Sequence, residues 1–206
     1  MIDNYNDITV GTYLDLVEIL DDETMDEIDK KVEIVALLDG REVDVIYDLP
    51  LPKFSELMQK ASFLLEEPKP MQVSDVYNLG GMKLESCLTL SKITTAQFID
   101  YQTYIKDKDK LVELISVFLI PKGHKYGKGY DILEVQKVIR DNMPITQAMG
   151  LAAFFLLLYK ALLKVSLTSS IKKLKKMKRK EKDSVKMGML QEAIVSLEES
   201  GASLEW

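Results

Sequence analysis

Apolar residues in this chain recur mostly at the three- and four-residue spacing of helices, with one stretch of near-alternation in the middle. In the first quarter Thr9 stands as an N-cap ahead of VGTYLDL. Thr24-Met-Asp-Glu27 has capping-box spacing, and Met25, Ile28, Val32 and Val35 form one apolar stripe that Gly40 terminates. Pro52 suits a helix first turn, with Phe54, Leu57, Met58, Ala61 and Leu65 expected to face inward. From Met71 to Leu90 near-alternating residues flank Gly80-Gly81, which supplies the positive φ angles of a two-residue turn. A β-hairpin is expected there, and a loop with a short helix is the alternative. The run AMGLAAFFLLLY, Ala148 to Tyr159, is apolar almost all round and predicts a deeply buried helix, with Phe154, Phe155 and Leu157 at its centre. After Val165 the chain has too few large apolar residues to bury and should be an exposed helix or mobile tail. Ser184 to Ser200 recovers a weak stripe through Met187, Leu190, Ile194 and Leu197, consistent with a short docking helix.

Several segments answer one another in order. ITVGTYLDL (Ile8 to Leu16) matches ITTAQFIDY (Ile93 to Tyr101), each with a capping Thr, an aromatic (Tyr13 or Phe98) and a carboxylate (Asp15 or Asp100) at the same places. KVEIVALLDG then answers LVELISVFLI, EVDVIYDLPL answers EVQKVIRDNMPI, and ASFLL answers AAFFLLL. Any two amphipathic helices share apolar spacing, but the repetition of caps, turns and breaks in one sequence of events favours an internal duplication. The expected fold is therefore mainly α: two similar helical repeats, residues 1–66 and 93–165, joined by a β-hairpin over 67–92 and followed by a basic C-terminal helix or tail over 166–206. On this alignment residues 121–131 are a loop inserted at a helix-to-helix turn.

Charge sharpens the picture. The net charge of −6 is spread unevenly: Met1 to Asp48 holds fifteen acidic and three basic residues, while Ile171 to Lys182 holds eight basic residues and one acid. Those cations, Lys172, Lys173, Lys175, Lys176, Lys178, Arg179, Lys180 and Lys182, lie too close together to be neutralised within one helix. They are the candidate electrostatic contact, and the acidic N-terminal region of another copy is a fitting partner, which leaves a homo-oligomer open. Eight cations could also neutralise phosphates, but no aromatic is interleaved for base stacking, so nucleic acid is disfavoured beyond backbone contact. The apolar run of about a dozen residues falls short of the ~20 that span a bilayer, and a membrane role is disfavoured too. Composition, 47% hydrophobic and 29% charged, is that of an ordinary globular protein. The lone Cys87 excludes an intramolecular disulfide and, with an acidic N-terminus in place of a secretory leader, points to a reducing cytosol.

Catalytic chemistry finds little material. The loop PKGHKYGKGYD, Pro121 to Asp131, has Gly123, Gly127 and Lys128 one residue too close for a phosphate-cradling loop, and Gly129 stands where the magnesium-binding hydroxyl must be. His124 has no second histidine and no nearby cysteine to complete a metal site, so no cofactor or metal is expected. Carboxylates fall on polar faces, and the nucleophile-elbow, zinc-helix and paired-cysteine motifs are missing. The residues point away from an enzyme.

Taken together, ITVGTYLDL, the acidic spacer, KKVEIVALLDGREVDVIYDLPLPKF, the Gly-centred hairpin, ITTAQFIDY and FLIPKGHKYGKGYDILEVQKVI with its following apolar helix resemble the tail assembly chaperone-type proteins of tailed phages, particularly those of gut Bacteroides-like hosts. The resemblance covers about Ile8 to Leu163 and leaves the basic segment outside it. It implies a non-enzymatic helical protein of the infected host's cytoplasm that keeps the tape-measure protein soluble while the tail tube is built, with tape-measure or other tail proteins as partners. A minor structural protein of the virion is the alternative, and a nucleic-acid accessory protein using the basic segment is a more distant one.

Overall fold

Helix signals in the first third are obeyed with one exception. In the computed structural model, which describes residues 1–181 and 183–202, helix α1 (Val10–Asp21) starts at Thr9, whose hydroxyl accepts from the Thr12 N–H. Helix α2 (Glu27–Asp39) starts two residues later than the capping box at Thr24 would place it. Asp22 takes both the N–H and the hydroxyl of Thr24, at 2.8 and 2.6 Å, while Asp26 accepts from the N–H groups of Ile28 and Asp29, both at 2.9 Å. The Asp26 carboxylate caps better than the Thr24 hydroxyl two residues upstream, so Ile28 falls in the first turn and is 67% exposed, outside the expected stripe. Gly40 ends α2 in the left-handed region at φ 68°. Helices α3 (Val43–Tyr47) and α4 (Leu51–Lys60), the latter with Pro52 in its first turn, close a small core of Val32, Val35, Ala36 and Ile46 under Phe54, Leu57 and Met58. Leu65, at the end of a 3-10 turn over Ala61–Leu65, is exposed rather than inward, because the tighter turn breaks the 3.6-residue stripe.

The hairpin forms as expected. Strands β1 (Val76–Leu79) and β2 (Met82–Ser86) pair antiparallel, Leu79 facing Met82 across Gly80 and Gly81 at φ 51° and 81°. Tyr77, Leu79 and Leu84 are its buried positions. A third strand, β3 (Leu119–Pro121), adds to β2 with Leu84 opposite Pro121. Between them helix α5 (Thr95–Tyr104) opens on a complete capping box at Thr94, and helix α6 (Leu111–Ser116) leads directly into β3. Gln97, the N3 residue of that box, is 1% exposed and donates to the Val117 carbonyl at 2.9 Å, tying α5 to the α6–β3 corner. Helix α7 (Ile132–Asn142) follows, then the long α8 (Ile145–Lys178) and α9 (Ser184–Ala202).

The centre of the core lies where both ends of the first body meet. Ile8 accepts from the Ile145 N–H and Val10 donates to the Met143 carbonyl, both at 2.8 Å, and all four residues have no exposed surface. The chain divides into two compact units, Met1–Ala153 and Phe154–Trp206; the first expected repeat and the hairpin lie in the first, whereas the second expected repeat, residues 93–165, is cut by the boundary. A duplication is not confirmed. The caps at Thr9 and Thr94 recur, but α2 has thirteen residues where α6 has six before the chain enters β3, and ten-residue α4 answers thirty-four-residue α8. The last helix is also not buried throughout. Leu151 and Phe155 are enclosed and Phe154 is partly so, whereas Leu156 and Leu157 are 41% and 67% exposed.

Candidate functional site

The basic segment is helical, not an open tail. Residues 172–178 form the last two turns of α8, and α9 returns alongside it: Lys175 pairs with Glu198 and Lys178 donates to the Gln191 amide oxygen, both at 2.8 Å. Of the expected stripe on α9, Ile194 is 2% exposed and Met187, Leu190 and Leu197 are partly buried, which explains why α9 docks. Lys172, Lys173, Lys176, Arg179 and Lys180 are exposed, and their side chains make no hydrogen bond or ion pair among the described residues. Lys182 lies outside the described residues. Helical spacing thus sorts the eight candidates: Lys175 and Lys178 serve the α8–α9 contact, and Lys172, Lys176 and Arg179, at i, i+4 and i+7, form a row beside it whose last member, Arg179, also borders the α8–α9 cleft.

The acidic N-terminal region is sorted in the same way. Asp15 pairs with Arg140 at 2.7 Å, Asp39 holds Arg41 and the chain's amino group, Asp29 accepts from the Tyr47 hydroxyl, and Asp22 and Asp26 cap turns. The Thr24 hydrogen bonds hold the Asp22 carboxyl below its usual range. A groove of about 410 Å³ between α1 and α2 is lined by Glu18, Glu33 and Glu42 together with the engaged Asp15 and Asp22, by the cation Arg41, and by the apolar Ile19, Leu37 and Val43. A second groove of about 590 Å³ on the other side of α1 carries Asp21, Asp22 and Asp109. The sequence shows the excess of acid but not which carboxylates are spent inside the fold; Arg140, the partner of Asp15, is 125 residues away.

The glycine-rich loop is an ordered connector. Its first residue belongs to β3, Lys125 and Lys128 form a one-bridge hairpin, and the Tyr126 hydroxyl donates to Asp100 at 2.6 Å. Burial, with that hydrogen bond, pushes the Tyr126 phenol well up. His124 is exposed, edge-on to Tyr130 with ring centroids 6.0 Å apart. Asp15 and Asp100, the carboxylates matched in sequence, therefore both anchor distant segments. Cys87 is half-buried, and burial pushes its thiol up, away from the reactive thiolate. Among the described residues no three His, Cys, Asp or Glu side chains are grouped to hold a metal ion, and no helix is long and apolar enough to cross a membrane.

Comparison with protein-family models, curated proteins and solved structures finds no match to this chain. The functional reading therefore rests on its surfaces: a cationic stripe on α8, an acid-edged groove on α1 and α2, and the exposed leucines of α8.

Proposed function

We propose that the chain is a non-enzymatic tail assembly chaperone, acting in the cytoplasm of a phage-infected host and binding the tape-measure protein while the tail is built. The resemblance of Ile8 to Leu163 to that family motivates the identity of the client. The observation that supports binding as the activity is the pair Leu156 and Leu157, 41% and 67% exposed on a helix that buries Leu151 and Phe155. Large adjacent aliphatic side chains left in water on a long helix are a liability unless a partner covers them, and an apolar helical client would do so in helix-against-helix fashion.

Co-expression of the chain with a phage tape-measure protein tests this reading. The client is expected to stay soluble and to co-purify with the parent, and to be lost with Leu156→Glu/Leu157→Glu, whose sites are already exposed. Mass spectrometry of purified particles supplies the opposing arm: the chain present at stoichiometric level in virions would replace the chaperone reading with that of a minor structural protein.

A further inference from the structure

We propose that the groove between α1 and α2 receives the basic end of α8 from a second copy of the chain, so that copies associate head to tail. This contact does not depend on the identity of the client, because both surfaces belong to the chain itself.

The two surfaces complement each other in charge. Glu18 and Glu42 are exposed at the groove, and their carboxylates make no hydrogen bond or ion pair among the described residues, unlike those of Asp15 and Asp22 nearby, which are engaged. Between them lie the apolar Ile19, Leu37 and Val43, only half covered, and Arg41, whose charge is paired with Asp39. On α8, Lys172, Lys176 and Arg179 form a stripe flanked by Lys173 and Lys180, while Lys175 and Lys178 are turned to α9. Long basic side chains suit such a groove, since their methylene stems cover the apolar floor while their heads reach the carboxylates at the rim. Each surface by itself is a concentration of like charge, so bringing them together relieves repulsion on both sides. Groove and stripe are different patches, hence the contact is heterologous. Every added copy presents a fresh groove and a fresh stripe, and growth ends only if the ring closes.

Sedimentation velocity of the full chain tests the contact. The parent is expected to show a mass that rises with concentration at low salt and falls to that of a monomer at about 0.5 M salt, where screening is short-ranged. Glu18→Lys/Glu42→Lys and Lys172→Glu/Lys176→Glu/Arg179→Glu should each sediment as monomers with unchanged far-ultraviolet circular dichroism. An equimolar mixture of the two should associate again, because each reversed surface then meets its opposite. If a reversal costs helical signal, the Gln versions at the same positions replace it, with association weakened roughly tenfold or more. A parent that stays monomeric at low salt, including one whose stripe binds duplex DNA instead, would overturn the proposal. So would variants that assemble like the parent, or monomeric variants that fail to associate when mixed, which would place the contact within one chain.

Discussion

Replacing Gly150 by alanine should destabilise the protein, although helix propensity alone says the opposite. Gly150 is buried inside α8, where alanine is favoured over glycine by about 1 kcal/mol. A Cβ added there would lie 2.1 Å from the Met71 carbonyl oxygen, over an ångström inside van der Waals contact, and the obstacle is backbone rather than a side chain that can swing away. The segment at Met71 is itself fixed, its N–H donating to the Thr146 carbonyl at 2.9 Å. Accommodating the methyl must therefore displace the segment and strain or break that bond. Overpacking costs about 1–3 kcal/mol and the hydrogen bond about 0.5–1.5 kcal/mol, which together outweigh the propensity gain. The net expectation is a loss of about 1–3 kcal/mol, and a melting temperature lower by roughly 3–10 °C for a body of this size. Gly188 in α9 is the control, with nothing within 4 Å of its added Cβ; Gly188→Ala should gain about 0.5–1 kcal/mol. Urea titration followed by circular dichroism reads both. If Gly150→Ala is as stabilising as Gly188→Ala, the Met71 segment does not lie across α8.

Phe155→Ala should cost about 3–5 kcal/mol because the ring is 1% exposed, whereas exposed Leu157→Ala should stay within about 0.5 kcal/mol; equal melting curves for the two would contradict the burial of Phe155. Tyr47, pushed up to about 12 chiefly by the hydrogen bond it donates to Asp29, should titrate late in phenolate absorbance. An unfolded tyrosine ionises near 10 and only the protonated phenol donates, so its stabilising contribution is whole below that pH and disappears as pH rises toward 12. Tyr47→Phe should remove this alkaline loss, and a normal titration of Tyr47 would refute the bond. His124→Ala should leave stability within about 0.5 kcal/mol, while Tyr126→Phe, which strips the half-buried bond to Asp100, should lose about 1–2 kcal/mol in the same urea titration.

Sequence made the local instructions readable and the distant pairings unreadable. Thr9, Thr94, Gly40 and Gly80-Gly81 act on residues within one turn of themselves, and all four do what their chemistry dictates. The box at Thr24 does not form because Asp22 takes the N–H and hydroxyl of Thr24 while Asp26 caps the helix at Ile28 and Asp29, an outcome that spacing alone does not rank. Strand β3 escaped notice because three residues carry no periodicity, and its pairing with β2 spans more than thirty positions. Leu157 was assigned to the core because an all-apolar run hides which face is covered; only the packing around Phe155 reveals it. The acidic and basic regions were legible as totals. The groove was not, since it is defined by which carboxylates Arg140, Arg41, Tyr47 and Thr24 use up.

The pairing of Ile8–Val10 with Met143–Ile145 also sets a schedule for synthesis. Its nearest side-chain tie, the Thr146 hydroxyl to Asn6, joins residues 140 positions apart. At a ribosomal rate of 5–20 residues per second, the N-terminal segment waits roughly 7–30 s for its partner to be made. Through that interval Ile8 and Val10, which have no exposed surface once folded, remain in water, while the small α2–α4 core and the β1–β2 hairpin can form from local contacts alone. High contact order of this kind slows the final step and leaves the nascent chain adhesive until α8 begins to emerge.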